Sequence, residues 1–202
     1  MSDGELDAAG ETSVTIGPAC YSVLFDGDGS IEVEDDWGLF VAVESMVEGR
    51  VTWIQSRGSD PTLEATSTHL PGTWLHVAMT FDWDSGTGTG EAALYVDGVP
   101  SGSATLPSPS ASADAALSLG RDGAFDSHSL QGRLDDVHIS RVVRYDGLFL
   151  TSAAAVADDD TIALWRLEEG TGAVAADSGA NGLHGTIVNG EWSDLSACGE
   201  GR

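Results

Sequence analysis

The chain has 202 residues, of which 41% are apolar and 20% are charged, so it is long enough to bury a two-sheet core in one domain. Its 33 acidic and 8 basic residues give a formal net charge of −25. Such a field repels nucleic-acid phosphates and anionic lipid heads, and no apolar run is long enough to span a bilayer. The composition therefore argues against nucleic acid as a partner and against membrane insertion.

The first residues are polar and acidic and lack the basic start and apolar stretch of a signal peptide. We expect residues 1–19 to be a flexible acidic lead-in, residues 20–198 to form a single domain, and residues 199–202 to be a short tail.

From residue 21 the chain alternates short β-rich runs with clusters of Gly, Asp, Ser and Pro. Short, regularly spaced strands are typical of a sandwich or barrel, and no long segment carries a helical period. We therefore predict an all-β fold, a two-sheet antiparallel β-sandwich. The predicted strands are residues 21–26, 30–34, 39–45, 50–56, 63–66, 74–81, 92–96, 102–106, 117–120, 132–140, 162–167 and 184–188.

Side-chain alternation supports this prediction in two of the strands. Residues 74–81 alternate between two faces that are both fairly apolar, as expected of an inner strand. Val137 and Ile139 are predicted to point to one face, and the polar residues Asp136, His138 and Ser140 to the other. The pair Asp97-Gly98 is a strong signal for a tight hairpin turn.

Three segments together resemble the laminin G-like jelly roll of the concanavalin A-like lectins. They are VLFDG at 23–27, GTWLHVAMTFD at 72–82 followed by LYVDG at 94–98, and LSLGR at 117–121 followed by LQGRLDDVHIS at 130–140. Each motif alone is weak, but their order and spacing run over most of the chain. The resemblance implies a jelly-roll sandwich and an extracellular binding module.

The last part of the domain, from residue 163 onward, which we call the tail, extends the resemblance in an unusual order. The segments ALWRLEEGTG at 163–172 and DSGANGLHGT at 177–186 are similar to a stretch that often precedes the FDG strand in this family, but here they come last. The chain therefore reads as a circular permutation of that arrangement. If the fold is kept, the tail is expected to lie beside the first strand.

The two cysteines, Cys20 and Cys198, stand on either side of this inferred seam. The resemblance implies that the fold brings them together, and we predict a disulfide; the alternative is two unrelated thiols. A disulfide would place the protein in an oxidising compartment, secreted or at the cell surface.

A structural calcium ion is the first candidate for a bound group, because calcium prefers six to eight oxygen ligands. In the resembling family the ion often takes ligands from a DxSGN loop, which corresponds here to Asp177 and Asn181. Additional ligands are predicted from the loop that contains Asp26 and Asp28, and from Asp135 or Asp136. The alternative is that the Asp177 loop is an ordinary turn stabilised by its own side chains.

Exposed aromatic side chains are the second candidate, since sugar rings stack on flat apolar rings. Trp37 and Trp83 are predicted to lie in loops beside acidic residues and are the candidate ligand-binding residues. The alternative for Trp83 is a hairpin tip that simply needs polar turn residues.

No segment carries the paired carboxylates that glucanases of this fold place on one strand face, and no serine or cysteine has the setting of a nucleophile. We predict no catalytic residues and no enzyme, but a binding module for a glycan or an extracellular protein, supported by calcium. A glycoside hydrolase and a structural or adhesive spacer are the alternatives, because one fold hosts all three functions.

Overall fold

The structure, a computed structural model, describes residues 13–23, 29–33, 37–43, 49–54, 63–67, 74–107, 117–120, 132–151 and 154–194. These residues form strands and turns but no helix, and hence no helical segment with the length and hydropathy of a membrane span. The strands are β1 (Ser13–Val23), β2 (Gly29–Val33), β3 (Trp37–Val43), β4 (Gly49–Ile54), β5 (Leu63–Ser67), β6 (Trp74–Asp84), β7 (Thr89–Val96), β8 (Val99–Pro107), β9 (Leu117–Leu119), β10 (Gly132–Asp135), β11 (Val137–Ser140), β12 (Thr161–Trp165), β13 (Val174–Ala175) and β14 (Gly185–Thr186).

The strands form two main antiparallel sheets. One has seven strands in the order β12-β11-β1-β6-β7-β8, with β10 also pairing with β1, and the other has five strands in the order β5-β4-β3-β2-β9. A small two-stranded sheet joins β13 and β14. The predicted all-β, two-sheet antiparallel sandwich is therefore confirmed.

The core lies between the two main sheets, and alternation along β6 and β7 explains why. Leu75, Val77 and Met79 of β6 and Leu94 of β7 are at most 1% exposed and share one core cluster with Leu63 of the five-stranded sheet. Burying one such side chain stabilises the fold by about 1.5–3 kcal/mol.

The first strand is longer than predicted. It begins at Ser13 and pairs with β6 from its first residue, so residues 13–19 belong to the sheet and not to the lead-in. The predicted single strand 132–140 is interrupted at Asp136, which adopts a positive φ of 49° between β10 and β11. Aspartate tolerates this conformation better than most residues.

The tail joins the same sheet as the first strand but does not lie directly beside it. Strand β12 pairs with β11, and β11 pairs with β1, so β11 separates the tail from the first strand. The tail supplies Ala163, Trp165 and Ala175 to the core cluster. It is therefore an integral part of the sandwich.

Residues 141–151, which we call the strap, cross the outer face of the seven-stranded sheet, the face turned away from the core. His76 and Tyr95 alternate with the core residues of β6 and β7 and therefore lie on this face. Tyr145 and Phe149 of the strap contact both of them, and the Tyr95 hydroxyl donates a 2.9 Å hydrogen bond to the Tyr145 carbonyl.

Candidate functional site

The carboxylate of Asp177, the main predicted calcium ligand, is occupied by backbone amides. Its Oδ1 accepts hydrogen bonds from the N–H groups of Leu164 at 2.9 Å and Gly179 at 2.8 Å, and its Oδ2 accepts one from Leu183 at 2.9 Å. Burial by itself raises the pKa of Asp177, but these three bonds outweigh it and hold the pKa below its ordinary value. Asp177 therefore fixes the loop against β12.

Asn181, the second predicted ligand, also serves the backbone. Its side-chain N–H group donates to the carbonyl oxygens of Ile162 at 2.9 Å and Thr161 at 3.3 Å. Asp135 lies in β10, where it is buried and in register with Cys20 of β1.

Within the described residues no group of three or more carboxylate, imidazole or thiol side chains is placed to hold a metal ion. In the Asp177 loop, Oδ1 accepts two backbone N–H groups and Oδ2 accepts one, so in this structure the carboxylate holds the backbone of the loop. Asp26 and Asp28 lie outside the described residues, so the calcium ion itself stays a prediction.

Trp83, predicted at an exposed hairpin tip, lies within β6, because this strand continues to Asp84 and the turn is only four residues long. Its ring stacks on Phe81 with ring centroids 6.3 Å apart and an interplanar angle of 21°. The side chain is half-buried and packs against the edge of the core cluster. Trp83 is therefore a firmly held aromatic ring at one end of the sandwich, with part of its surface in solvent.

The other predicted site residues are described only in part. Trp37 opens β3 and Cys20 lies inside β1, where its backbone stands between His76 of β6 and Asp135 of β10. Cys20 thus lies within the first strand, whereas the predicted strand at 21–26 places it just before that strand. Cys198 lies outside the described residues, so the disulfide stays a prediction.

A serine–histidine pair that the sequence does not single out lies on the outer face of β11. The Ser140 hydroxyl is 3.2 Å from His138 Nε2, which is also 2.9 Å from the Thr161 hydroxyl. All three side chains are at most 3% exposed. Burial lowers the pKa of His138 to about 4, and the charge of Arg144 acts in the same direction. The pair is out of reach of a substrate and is structural.

Arg144 connects this pair to the segment before β12. Its Nε donates to the Ser140 hydroxyl, and its two terminal nitrogens donate to the two carboxylate oxygens of Asp158 at 2.9 and 2.6 Å. The hydrogen bonds from Arg144 hold the pKa of Asp158 well below its usual range. One end of the strap is therefore fixed by a bidentate ion pair.

An aromatic cluster fixes the other end of the strap. The rings of Tyr145 and Phe149 stack with centroids 3.7 Å apart, and His76 meets Phe149 edge-on at 5.4 Å. His76 is 5% exposed, its Nδ1 has no hydrogen-bond partner, and burial lowers its pKa to about 4. In the sequence this cluster is marked only by the apolar residues of YDGLFL, at 145–150, which do not show which side chain turns inward.

Comparison with known proteins identifies a family model and similar solved structures. A family model described as the concanavalin A-like lectin/glucanases superfamily matches residues 16–146, more than half of the chain. Among solved structures, a native heptameric SAP-like pentraxin from Limulus polyphemus is similar at 18% identity with a TM-score of 0.46. The match covers 64% of this chain and 64% of that one, less than two thirds of the pentraxin's length. No curated protein matches the sequence.

Proposed function

The chain belongs to the concanavalin A-like lectin/glucanases superfamily, as its motifs predict, and from this membership we propose that it is a non-catalytic module that binds carbohydrate. The superfamily description names both lectins and glucanases, so membership alone does not choose between binding and catalysis.

The observation that carries the proposal is the position of Trp83. A ligand-stacking ring must be held rigidly while keeping some of its surface accessible, because ordering a mobile side chain on binding costs free energy. Trp83 meets both conditions, since Phe81 and the core edge support it and the side chain is only half-buried. We propose that the apolar face of a sugar ring stacks on its accessible surface.

Two features support binding over hydrolysis. The serine–histidine pair on β11 is buried, so it cannot reach a substrate. The chain also lacks, in its sequence, the strand motif with which glucanases of this fold set two carboxylates about 5 Å apart. A glycoside hydrolase remains the alternative that the experiment below separates.

A structural calcium is not required by this proposal, because the carboxylate of Asp177 already satisfies three backbone amides. The calcium prediction, with Asp177 and Asn181 as the main ligands and Asp26, Asp28 or Asp135 beside them, stays a prediction. A calcium-dependent rise in melting temperature that magnesium does not reproduce would support it.

We also propose that the protein acts outside the cytoplasm, secreted or at the cell surface. This rests on the predicted bond between Cys20 and Cys198. Thiol titration of denatured, unreduced protein made under oxidising conditions should find no free thiol, whereas two free thiols would refute the bond.

The function is tested with a glycan array probed by the full chain, in calcium and in chelator, followed by mass spectrometry of the bound glycans. We expect selective binding to a few glycans that remain intact. Cleaved glycans would show a glycosidase instead, and no binding across a broad array would favour a structural or adhesive spacer.

A further inference from the structure

Two leucine side chains of the strap are largely exposed to solvent. Leu148 is 77% exposed and Leu150 is 90% exposed, while Phe149 between them points into the aromatic cluster. Val99, which begins β8, is 50% exposed. It follows Gly98, whose carbonyl accepts a 3.0 Å hydrogen bond from the N–H of Phe149. These three residues, which we call the strap patch, therefore neighbour one another across the strap and the β7–β8 turn.

The strap patch is presented by rigid structure. Phe149 stacks on Tyr145 and meets His76 and Tyr95, so the backbone on both sides of it is fixed. The turn fits it closely: Gly98 has φ +76°, and a Cβ there would overlap the Phe149 carbonyl oxygen. Scattered exposed leucines are common, but neighbouring apolar side chains on a fixed support are typical of an interaction surface.

The charge around the strap patch indicates the chemistry of the partner. Asp97 in the turn and Asp146 in the strap are both exposed and lie two residues from Val99 and Leu148. Of the strap's two arginines, Arg144 is paired with Asp158, and Arg141 lies at the end of the strap away from the leucines. The whole chain carries a net charge of −25. The strap patch and its rim therefore combine apolar surface with negative potential. We propose that the strap patch binds a polypeptide segment in which apolar side chains are flanked by arginine or lysine.

A second copy of this chain is the less favourable occupant. Two copies would each bring a charge of −25, and like charges oppose association until salt screens them. Salt therefore distinguishes the two occupants, because it weakens binding of a cationic segment and promotes self-association. The strap patch is also separate from the proposed carbohydrate site. His76 contacts the strap near the start of β6, whereas Trp83 lies near the other end of this extended strand.

The test is selection of a random peptide display library on the full chain, followed by titration of the selected synthetic peptides. We expect the selected peptides to be enriched in arginine or lysine beside apolar residues. The double variant Leu148→Ser/Leu150→Ser should weaken their binding by about tenfold or more, as expected for two central contacts. Raising sodium chloride from about 0.05 M to about 0.5 M should also weaken binding.

The matched control is Val188→Ser, which removes a similarly exposed apolar side chain, 70% exposed, outside the strap patch. It should leave peptide binding unchanged, and circular dichroism of both variants should match the unmodified protein. Peptides without an excess of basic residues, or peptides that bind the double variant equally well, would overturn the proposal. Self-association that rises with salt and is lost in the double variant would assign the patch to a second copy and overturn it too.

Discussion

The carboxylate oxygen Oδ1 of Asp177 accepts a hydrogen bond of 2.9 Å from the backbone N–H of Leu164, in the middle of β12. The same carboxylate accepts the N–H groups of Gly179 and Leu183, so one buried side chain joins a strand to the loop that follows it. Because a buried anion is stable only when its acceptor capacity is used, these bonds make Asp177 a structural residue.

Asp177→Asn is expected to lower the free energy of unfolding by roughly 2–4 kcal/mol, because an amide nitrogen cannot accept the N–H groups that the carboxylate accepts. Urea unfolding measures this change, with Asp194→Asn as the control at an exposed aspartate in the same tail. The loss should be the same in calcium and in chelator. A variant of normal stability that has lost only a calcium-dependent stabilisation would show that Asp177 is a metal ligand instead.

Trp165→Ala is expected to destabilise the fold by about 3–5 kcal/mol, the usual cost of removing a large aromatic side chain from a core. Trp165 is 7% exposed in the core cluster, and its indole N–H donates to the Leu183 carbonyl at 2.7 Å. Trp192→Ala, at a less buried tryptophan of the same tail, should cost far less. Thermal and urea unfolding check both values. Equal, small effects would mean that the tail is not part of the cooperative sandwich.

The free energy of unfolding should decrease as the pH is lowered, because His76 is protonated less readily in the folded state than in the unfolded chain. Its pKa is about 4 in the folded protein against 6.5 when exposed, so above pH 6.5 it is neutral in both states and has no effect. As the pH falls, the unfolded chain binds the proton first, and the folded state loses about 3 kcal/mol between pH 7 and pH 4.

This prediction is measured as a difference between the unmodified protein and His76→Phe, since the many carboxylates titrate in both. The phenylalanine keeps a ring against Phe149 but cannot take up a proton. The unmodified protein should lose more stability on acidification than the variant, and parallel stability curves from pH 7 to pH 4 would contradict the assignment.

The sandwich could be predicted from the sequence because the signals for strands and tight turns lie in short segments of the chain. Alternation along β6 fixes which side chains face the core, and Asp97-Gly98 fixes the β7–β8 turn, where Asp97 and Gly98 have φ values of 50° and 76°. The predicted start of β1 was too late. Val14, Thr15 and Ile16 are β-branched and favour a strand, but Gly17-Pro18 separates them from the predicted strand at 21–26. In the structure β1 runs through this interruption with a register shift in its pairing with β6 between Ile16 and Ala19.

The site was predicted less well because it depends on where side chains point. An aspartate followed by Ser-Gly is compatible with a calcium ligand and with a loop anchor. The three backbone amides around Asp177 give it the second role in this structure, and calcium ligation by Asp177 stays a prediction. Likewise, nothing in the sequence shows that Phe149 turns inward while Leu148 and Leu150 turn outward, since this follows from packing on His76 and Tyr95.

The most direct test of the carbohydrate-binding function is a calorimetric titration of the best array-selected glycan into the unmodified protein, Trp83→Ala and Trp192→Ala. We predict that Trp83→Ala weakens binding by about tenfold or more, since a stacked aromatic contact carries a large share of the binding free energy, and that Trp192→Ala leaves it unchanged. Equal affinities of the unmodified protein and a folded Trp83→Ala variant would contradict the proposed site.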